Sequence, residues 1–355
     1  MPCRRRKRKG RRRPRLTHRR TDAMTMRIEG NRKGNPRTMA KPRQDDTQRL
    51  DDAARAGWLY YVAGRTQDDI ARQLGISRQS AQRLVSLSVS AGLVKVRIDH
   101  PIAACLDLAQ ALRTRFGLRL ADVVPTDPSS GSTTLGVALA GSAELARRLA
   151  DPEPGIIAMG TGRTLKAAVE QLSPIGCPQH RIVSLTGNIT LDGSASVFNV
   201  IFSMADKVAA PLFPMPLPVV VSSPQERALL HQQKVVARTL SLAAKANVTF
   251  VGIGEIGPGA PLMKDRFISP EECDELVRLG GVGEIVGWVF DAAGAILDCP
   301  YNERVASAPL PPADRSDVIA LAMGPAKLAA LAAAVQGGLV SGLITDEATA
   351  EALLA

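Results

Sequence analysis

Gly160-Thr161-Gly162-Arg163-Thr164 is the densest group of ligand-binding chemistry in the sequence. It follows the apolar run Gly155–Met159 and leads into a helical pattern that continues to Gln171. Glycines in such a turn let backbone N–H groups approach an anion closely. Thr161 and Thr164 add hydroxyls, Arg163 adds a charge, and the helix presents the positive end of its dipole. A phosphate or a polyol suits that cradle, although Gly and Thr also serve ordinary strand-to-helix turns. Lys327 follows Met323-Gly324-Pro325 at the start of another helical run, where a lysine can ion-pair with a phosphate or hydrogen-bond a sugar hydroxyl. Glu284 directly precedes an apolar strand-like run and can bind hydroxyls. Taken singly, Lys327 more often reads as a solvated charge, and Glu284 as a simply exposed one.

No catalytic set accompanies them. His18, His100, His180 and His231 show neither metal-ligand spacing nor a triad partner. Cys3, Cys105, Cys177, Cys273 and Cys299 form no CxxC pair and read as structural thiols of a reducing cytoplasm. There is no P-loop and no GxGxxG set between a strand and a helix. Neither a metal nor a cofactor is expected, only a small-molecule ligand.

Such loops work only if strands aim them. Strand-like runs occur at Ala121–Val124, Gly155–Met159, Arg181–Leu185, Val248–Gly252, Val318–Met323 and Leu343–Thr345. Helical patterns occupy Thr133–Leu149, Ser194–Ala209, Pro224–Lys245, Pro270–Leu279, Pro325–Ala334 and Asp346–Leu354. Pro211–Pro218 reads as a loop. Ile285–Phe290 and Ala295–Leu297, joined by Asp291–Gly294, read as a hairpin. Repeated β–loop–α units predict an α/β fold with a mostly parallel sheet covered on both faces. Ligands of such sheets bind beyond the carboxyl ends of the strands.

A different chemistry stands ahead of this region. Over Thr66–Ile98, Thr66 and Asp69 form a capping-box-like pair. Ile70, Ala71 and Leu74 give a short helix one apolar face, Gly75 permits a left-handed turn, and Ser77 caps a second helix. Ala81, Leu84, Val85 and Ser88 form its inward stripe, while Arg78, Gln79, Gln82, Arg83 and Ser86 face outward. Gly92 ends it, and Val94, Val96 and Ile98 alternate with Lys95 and Arg97 in a basic wing strand. Capped helix, Gly turn, polar helix and basic strand together predict a winged helix-turn-helix that reads DNA. The residues expected at the DNA are Thr66, Gln67, Ser77, Arg78, Gln79, Ser80, Gln82, Arg83 and Lys95. Gln44–Ala63 supplies a first helix, with Leu50, Ala53, Ala54, Trp58, Leu59 and Val62 as its buried face. Trp58 and Tyr61 are read as packing groups rather than base-stacking ones.

The formal charge of +11 belongs to the leader. Residues 1–43 hold the runs Arg4–Lys9 and Arg11–Arg13, and the remainder of the chain is slightly acidic. The leader's composition predicts disorder. It has no apolar h-region, which argues against a secretory signal. A nucleic-acid tail, a nuclear-localisation-like patch and an extension ahead of a true start at Met24, Met26 or Met39 all fit, and the last is favoured. No apolar run is long enough to span a bilayer. The division expected is a leader over 1–43, a DNA-binding domain over 44–100, a linker helix over 101–117 and an effector domain over 118–355. The linker pattern reads alternatively as the first helix of the effector domain.

The motifs TQDDIARQLGISRQSAQRLVSLSVSAGLVKVRI, AMGTGRTLKAAV, SLTGNITLDGSASVFNV, NVTFVGIGEIGPGAPL and GGVGEIVGWVFDAAGAIL, with the tail from Ala320, follow one another in order. Together they resemble the SorC/DeoR-type family of bacterial sugar-sensing transcriptional regulators, from about Gln44 to Ala355. The resemblance implies a winged helix-turn-helix fused to a Rossmann-like effector domain, similar to sugar-phosphate isomerase and deaminase folds. It implies a cytoplasmic, homodimeric or homotetrameric regulator that binds operator DNA. A sugar phosphate or polyol would control its affinity. Carried over, the phosphate loop is Gly160–Thr164, a second lining loop is Thr186, Gly187 and Asn188, the acidic hydroxyl ligand is Glu284, and the lysine is Lys327. The rival expectation is a sugar-phosphate isomerase or deaminase with an accessory DNA-binding domain.

Overall fold

A computed structural model describes residues 44–95, 103–127, 134–187, 189–190, 194, 198–312 and 314–355. The chain forms two compact units, which divide between Arg97 and Ile98.

The first unit contains α1 (Gln44–Tyr61), α2 (Gln67–Leu74) and α3 (Arg78–Ser90). Local chemistry sets its turns. The Thr66 hydroxyl accepts from the Asp69 amide at 3.2 Å, and the Asp69 carboxylate accepts from the Thr66 amide at 3.2 Å. The Thr66 hydroxyl also donates to this carboxylate at 2.7 Å, and that bond, followed by the one from the Thr66 amide, holds the Asp69 carboxyl below its ordinary value. Gly75 closes α2 at φ 67°, the left-handed conformation that glycine adopts without penalty. Ser77 then caps α3 through the Ser80 amide. Ala56, Leu59, Ile70, Ala71, Ala81 and Val85 form the core of the unit. Helices α1 and α3 approach closely at Gly57, where a Cβ would collide with the Ser88 hydroxyl.

The α1 stripe is narrower than expected. Ala53 and Leu59 are buried, but Trp58 is 56% exposed and Val62 68%, and Leu50 and Tyr61 are also exposed. Val94 and Lys95 are irregular; the rest of the expected wing, like the leader, lies outside the described residues.

The second unit opens with α4 (Ala103–Phe116), β1 (Leu120–Val124), α5 (Thr134–Leu149), β2 (Ile156–Met159) and α6 (Arg163–Glu170). Then come β3 (Ile175–Gly176), β4 (Arg181–Ser184), α7 (Val200–Ala205), β5 (Val208–Ala209) and β6 (Leu212–Phe213). Next are α8 (Pro224–His231), α9 (Lys234–Ala243), β7 (Val248–Val251), β8 (Gly254–Glu255), α10 (Pro261–Lys264) and α11 (Pro270–Arg278). The chain ends with β9 (Gly281–Ile285), β10 (Trp288–Asp291), α12 (Pro300–Arg304), β11 (Asp317–Leu321), α13 (Leu328–Gln336), β12 (Gly342–Asp346) and α14 (Glu347–Leu354).

Seven of these strands form one sheet in the order β1-β12-β11-β7-β2-β4-β6, and every pairing in it is parallel. Successive side chains point to opposite faces. Ile157, Ile182, Ile319 and Leu321 therefore pack with Val137, Leu165 and Met204 of α5, α6 and α7. Ala158, Val183, Val318 and Ala320 pack with Leu112, Val236, Leu331 and Leu353 of α4, α9, α13 and α14. From β2 the chain steps outward through β4 to β6, then returns to β7 on the other side of β2 and continues through β11 to β12. The winding direction thus reverses between β2 and β7. In an open α/β sheet, that reversal leaves a crevice beyond the strand ends.

Several local expectations are corrected. The helix read as a linker over 101–117 is a covering helix of the sheet: Cys105, Ala109 and Leu112 of α4 are buried in its core. Within the helix expected over 194–209, the described residues from Val200 form α7 and then give way to β5. Leu212–Phe213, expected in a loop, adds the edge strand β6, which a proline-flanked segment can supply because an edge strand is hydrogen-bonded on one side only. The helix expected over 224–245 breaks at Gln232-Gln233 into α8 and α9. Two hairpins share β10: β9 joins it through Val286-Gly287, inside the run expected as one strand, and the expected turn Asp291–Gly294 folds it back onto Ile296, so Glu284 lies inside β9 rather than before a strand. Val286 at φ 48° and Gly287 at φ 90° give the two left-handed residues of a tight hairpin turn.

Candidate functional site

The turns after β2 and β7 meet at the reversal point. The Gly160 amide donates to the Phe250 carbonyl at 2.8 Å. A Cβ on Gly252 would lie 3.2 Å from the Thr161 carbonyl oxygen. Glycine is needed here because the two backbones nearly touch. Between them opens a cavity of about 90 Å³. Thr161, Gly162, Arg163 and Thr164 line it from the β2 side, and Gly252, Ile253 and Gly254 from the β7 side. Glu284, Val286 and Gly287 enter from the β9–β10 turn, and Lys327 from the 3-10 turn Pro325–Lys327 ahead of α13. Phe198, Leu262 and Phe267 complete an apolar wall.

Each polar group has a defined setting. Gly162, with no side chain to cap α6, leaves the first-turn amides at the cavity edge. The Thr161 hydroxyl donates to the Phe198 carbonyl at 2.6 Å. Arg163 pairs with Asp265 at 2.8 Å and stacks over the Phe198 ring at 4.5 Å. Glu284 accepts from the Gly287 amide at 2.8 Å. Burial pushes the Glu284 carboxyl above its ordinary value; the Gly287 bond and the Lys327 charge pull the other way but do not win. Burial likewise lowers Lys327, and Arg163 adds to this, against the attraction of Glu255 and Glu284. Among the described residues Lys327 makes no ion pair. Val286 holds its left-handed conformation at the cavity wall, at a cost of about 1–3 kcal/mol for a residue of this kind.

The structure thus brings together Thr161, Gly162, Arg163, Thr164, Glu284 and Lys327. Gly160 stands behind the wall, where a Cβ would lie 3.0 Å from the Val286 Cγ1. Of the second loop, the described residues Thr186 and Gly187 do not line this cavity. Thr186 is buried, accepts from the Ser307 hydroxyl at 2.8 Å, and serves packing. Gly187 is tied to the backbone, since a Cβ there would collide with the Leu217 carbonyl oxygen. Asn188 lies outside the described residues. Sequence reasoning missed Gly252-Ile253-Gly254, whose strand–glycine pattern repeats that of the β2 turn. It also missed Asp265 and Phe198, which reach Arg163 only through folding and carry no local signal.

In the first unit, Arg78, Gln79, Gln82, Arg83 and Ser86 are exposed on α3. Arg78 approaches Asp68 at 3.5 Å, an exposed pair of little energetic weight. The Thr66 and Ser77 hydroxyls are engaged as caps, Gln67 and Ser80 are partly buried, and Lys95 is exposed.

The fold and cavity define a doubly wound α/β ligand-binding domain. Residues 100–355 match the sugar-binding domain family. The chain belongs to this SorC/DeoR-type family of sugar-binding transcriptional regulators. It is 35% identical over 302 residues to the erythritol catabolism regulatory protein EryD of Brucella abortus (strain 2308), covering 85% of this chain and 96% of EryD. It is 32% identical over 319 residues to the transcriptional regulator LsrR of Enterobacter sp. (strain 638), covering 85% and 92%. The full-length sorbitol operon regulator SorC of Klebsiella pneumoniae superimposes with a TM-score of 0.68 at 26% identity, covering 86% of this chain and 99% of SorC. The chain is a sugar-responsive, DNA-binding transcriptional regulator. No helix among the described residues is long and apolar enough to cross a membrane.

Proposed function

We propose that the cavity between the β2 and β7 turns binds a short polyol or its phosphate ester, and that occupancy sets the operator affinity of α3. One observation carries this reading. Arg163 and Lys327, from turns distant in sequence, converge with Glu284 on one cavity at the reversal point of the sheet. A phosphate would sit at the first turn of α6 beside Arg163, and hydroxyls would reach Glu284 and Lys327. A carboxyl that keeps its proton above the ordinary range both donates to and accepts from a hydroxyl. The name of EryD refers to erythritol catabolism, which favours a four-carbon polyol chemistry. The site binds without turnover, in keeping with relatives named as regulators.

The output end is α3. Gln79 and Gln82 carry amides suited to base edges, and Arg78, Arg83 and Lys95 carry charges suited to phosphates. The protein acts as a homodimer or homotetramer on paired half-sites, and the effector favours one assembly state over another. Gln79→Ala relaxes base preference, at about 1–3 kcal/mol for one base contact, while Arg83→Ala weakens binding evenly across sequences. Mobility-shift assays on operator variants check both, and unchanged binding in both would assign DNA reading to another helix.

Thermal-shift screening of the full chain with erythritol, other tetritols and their phosphates tests the effector. A raised Tm with the ligand recovered intact is expected. Chemical conversion of the ligand would favour the isomerase reading instead.

A further inference from the structure

Glu255 stands one residue beyond the cavity glycine Gly254 in β8. Across the β8–β9 ladder Gly254 pairs with Glu284, and Glu255 with Gly283. Side chains alternate faces along a strand, so the two pairs look in opposite directions. The Gly254–Glu284 face belongs to the cavity, since a Cβ on Gly254 would collide with the Glu284 carboxylate. The Glu255–Gly283 face looks towards α13, since a Cβ on Gly283 would lie 2.6 Å from the Ala330 Cβ. Lys327 ends the 3-10 turn that leads into α13, and this turn packs on β8. The turn that carries Lys327 therefore lies against the strand that carries Glu255. The Oε2 atom of Glu255 is enclosed and has no hydrogen-bond partner. An enclosed, unmatched carboxylate oxygen is costly, and such groups in native proteins call for a specific role.

We infer that Glu255 is the positioning residue for Lys327: from behind the cavity it holds the ammonium opposite Glu284, and so sets how well the cavity takes an anionic effector group. The inference rests on the effector reading of the cavity. Glu255 favours the charged form of Lys327 more than Glu284 does, against burial as the largest influence and Arg163 as a smaller opposing one. These three ionisable groups act on Lys327, and Asp265 is already engaged by Arg163. An effector phosphate would thus meet an ammonium whose charge Glu255 has secured.

The test is the titration of Lys327 in the full chain, with Glu255→Gln as a variant of the same shape without the charge. Trace acetylation by acetic anhydride across a pH series, read by peptide mass spectrometry, follows Lys327 against the exposed Lys234. Glu255→Gln should move the Lys327 midpoint down by about one pH unit, and Glu255→Asp should leave it near wild type. An unchanged midpoint in Glu255→Gln overturns the inference. Should Glu255→Gln fail to fold, the double variant with Lys327→Met should regain the stability of Lys327→Met alone. A double variant as unstable as Glu255→Gln overturns the inference. Inorganic phosphate is added in a separate arm. A midpoint that moves while phosphate gives Lys327 no protection supports the role of Glu255 and counts against the effector reading.

Discussion

The two ends of the seven-stranded sheet handle charge in opposite ways. At the amino ends of the strands, Arg119 meets Asp317 at 2.7 Å, Asp317 meets Arg148 at 2.8 Å, Arg148 meets Glu144 at 2.8 Å, and Glu144 meets Arg147 at 2.6 Å. Arg119 also donates to the Ser316 carbonyl and the Ser341 hydroxyl. Every charge in this chain is matched. Burial pushes Glu144 and Asp317 up, yet their arginine partners win and hold both carboxyls below the ordinary range. At the carboxyl ends, Glu284 is pushed up, Lys327 is pushed down, and Glu255 keeps an unmatched oxygen. The same residue types therefore do different work. A closed network ties α5 to β1 and β11, whereas an open one leaves binding capacity for a ligand.

Substitutions can break this contrast. The largest effect is expected from Asp317→Ala, which takes one partner from both Arg119 and Arg148, although Glu144 still holds Arg148. Two partly exposed charge-assisted hydrogen bonds are lost, each contributing at most about 1.5–3 kcal/mol. Denaturant melts should show this loss, while the effector response of the surviving folded protein stays normal. Because Glu144 and Asp317 are lowered in the folded state, the stability they confer is present above the ordinary carboxyl range. It is lost as pH falls through their folded values.

Lys327→Ala should do the reverse. Loss of one charged hydrogen bond to the effector costs about 1.5–3 kcal/mol, or about ten- to a hundred-fold in affinity. Calorimetric titration with a polyol phosphate measures this, and the melt should move little, since no ion pair is broken.

The smallest effect is expected from Glu284→Gln. The folded-state value of Glu284 is raised, so its favourable contribution is present below the ordinary glutamate range and is lost as pH rises through the folded value. Wild-type stability should decline across that interval, and Glu284→Gln should flatten the decline. A decline of equal slope in both proteins would place the titrating group elsewhere.

What could be read from the sequence was the chemistry that acts over a few residues. The Thr66 and Ser77 caps and the Gly75 turn each depend on neighbours within one turn, and each is found in place. The parallel sheet was legible because its strands are buried on both faces and read as unbroken apolar runs. The turn Asp291–Gly294 was legible, but the one before it was not, because Val286-Gly287 hides inside such a run and valine does not announce a left-handed residue. Ser307 and Leu217, which close on Thr186 and Gly187, could not be read from that strand end. Asp265 and Glu255 were silent because their partners lie far along the chain.

The central claim is that the cavity at the sheet's reversal point controls operator binding by α3. Operator affinity by mobility shift, measured with and without a tetritol phosphate for wild type and Arg163→Ala, tests it most directly. The ligand should change the operator affinity of wild type, and Arg163→Ala should bind the operator as unliganded wild type does, with the response blunted. A full ligand response in Arg163→Ala would contradict the account.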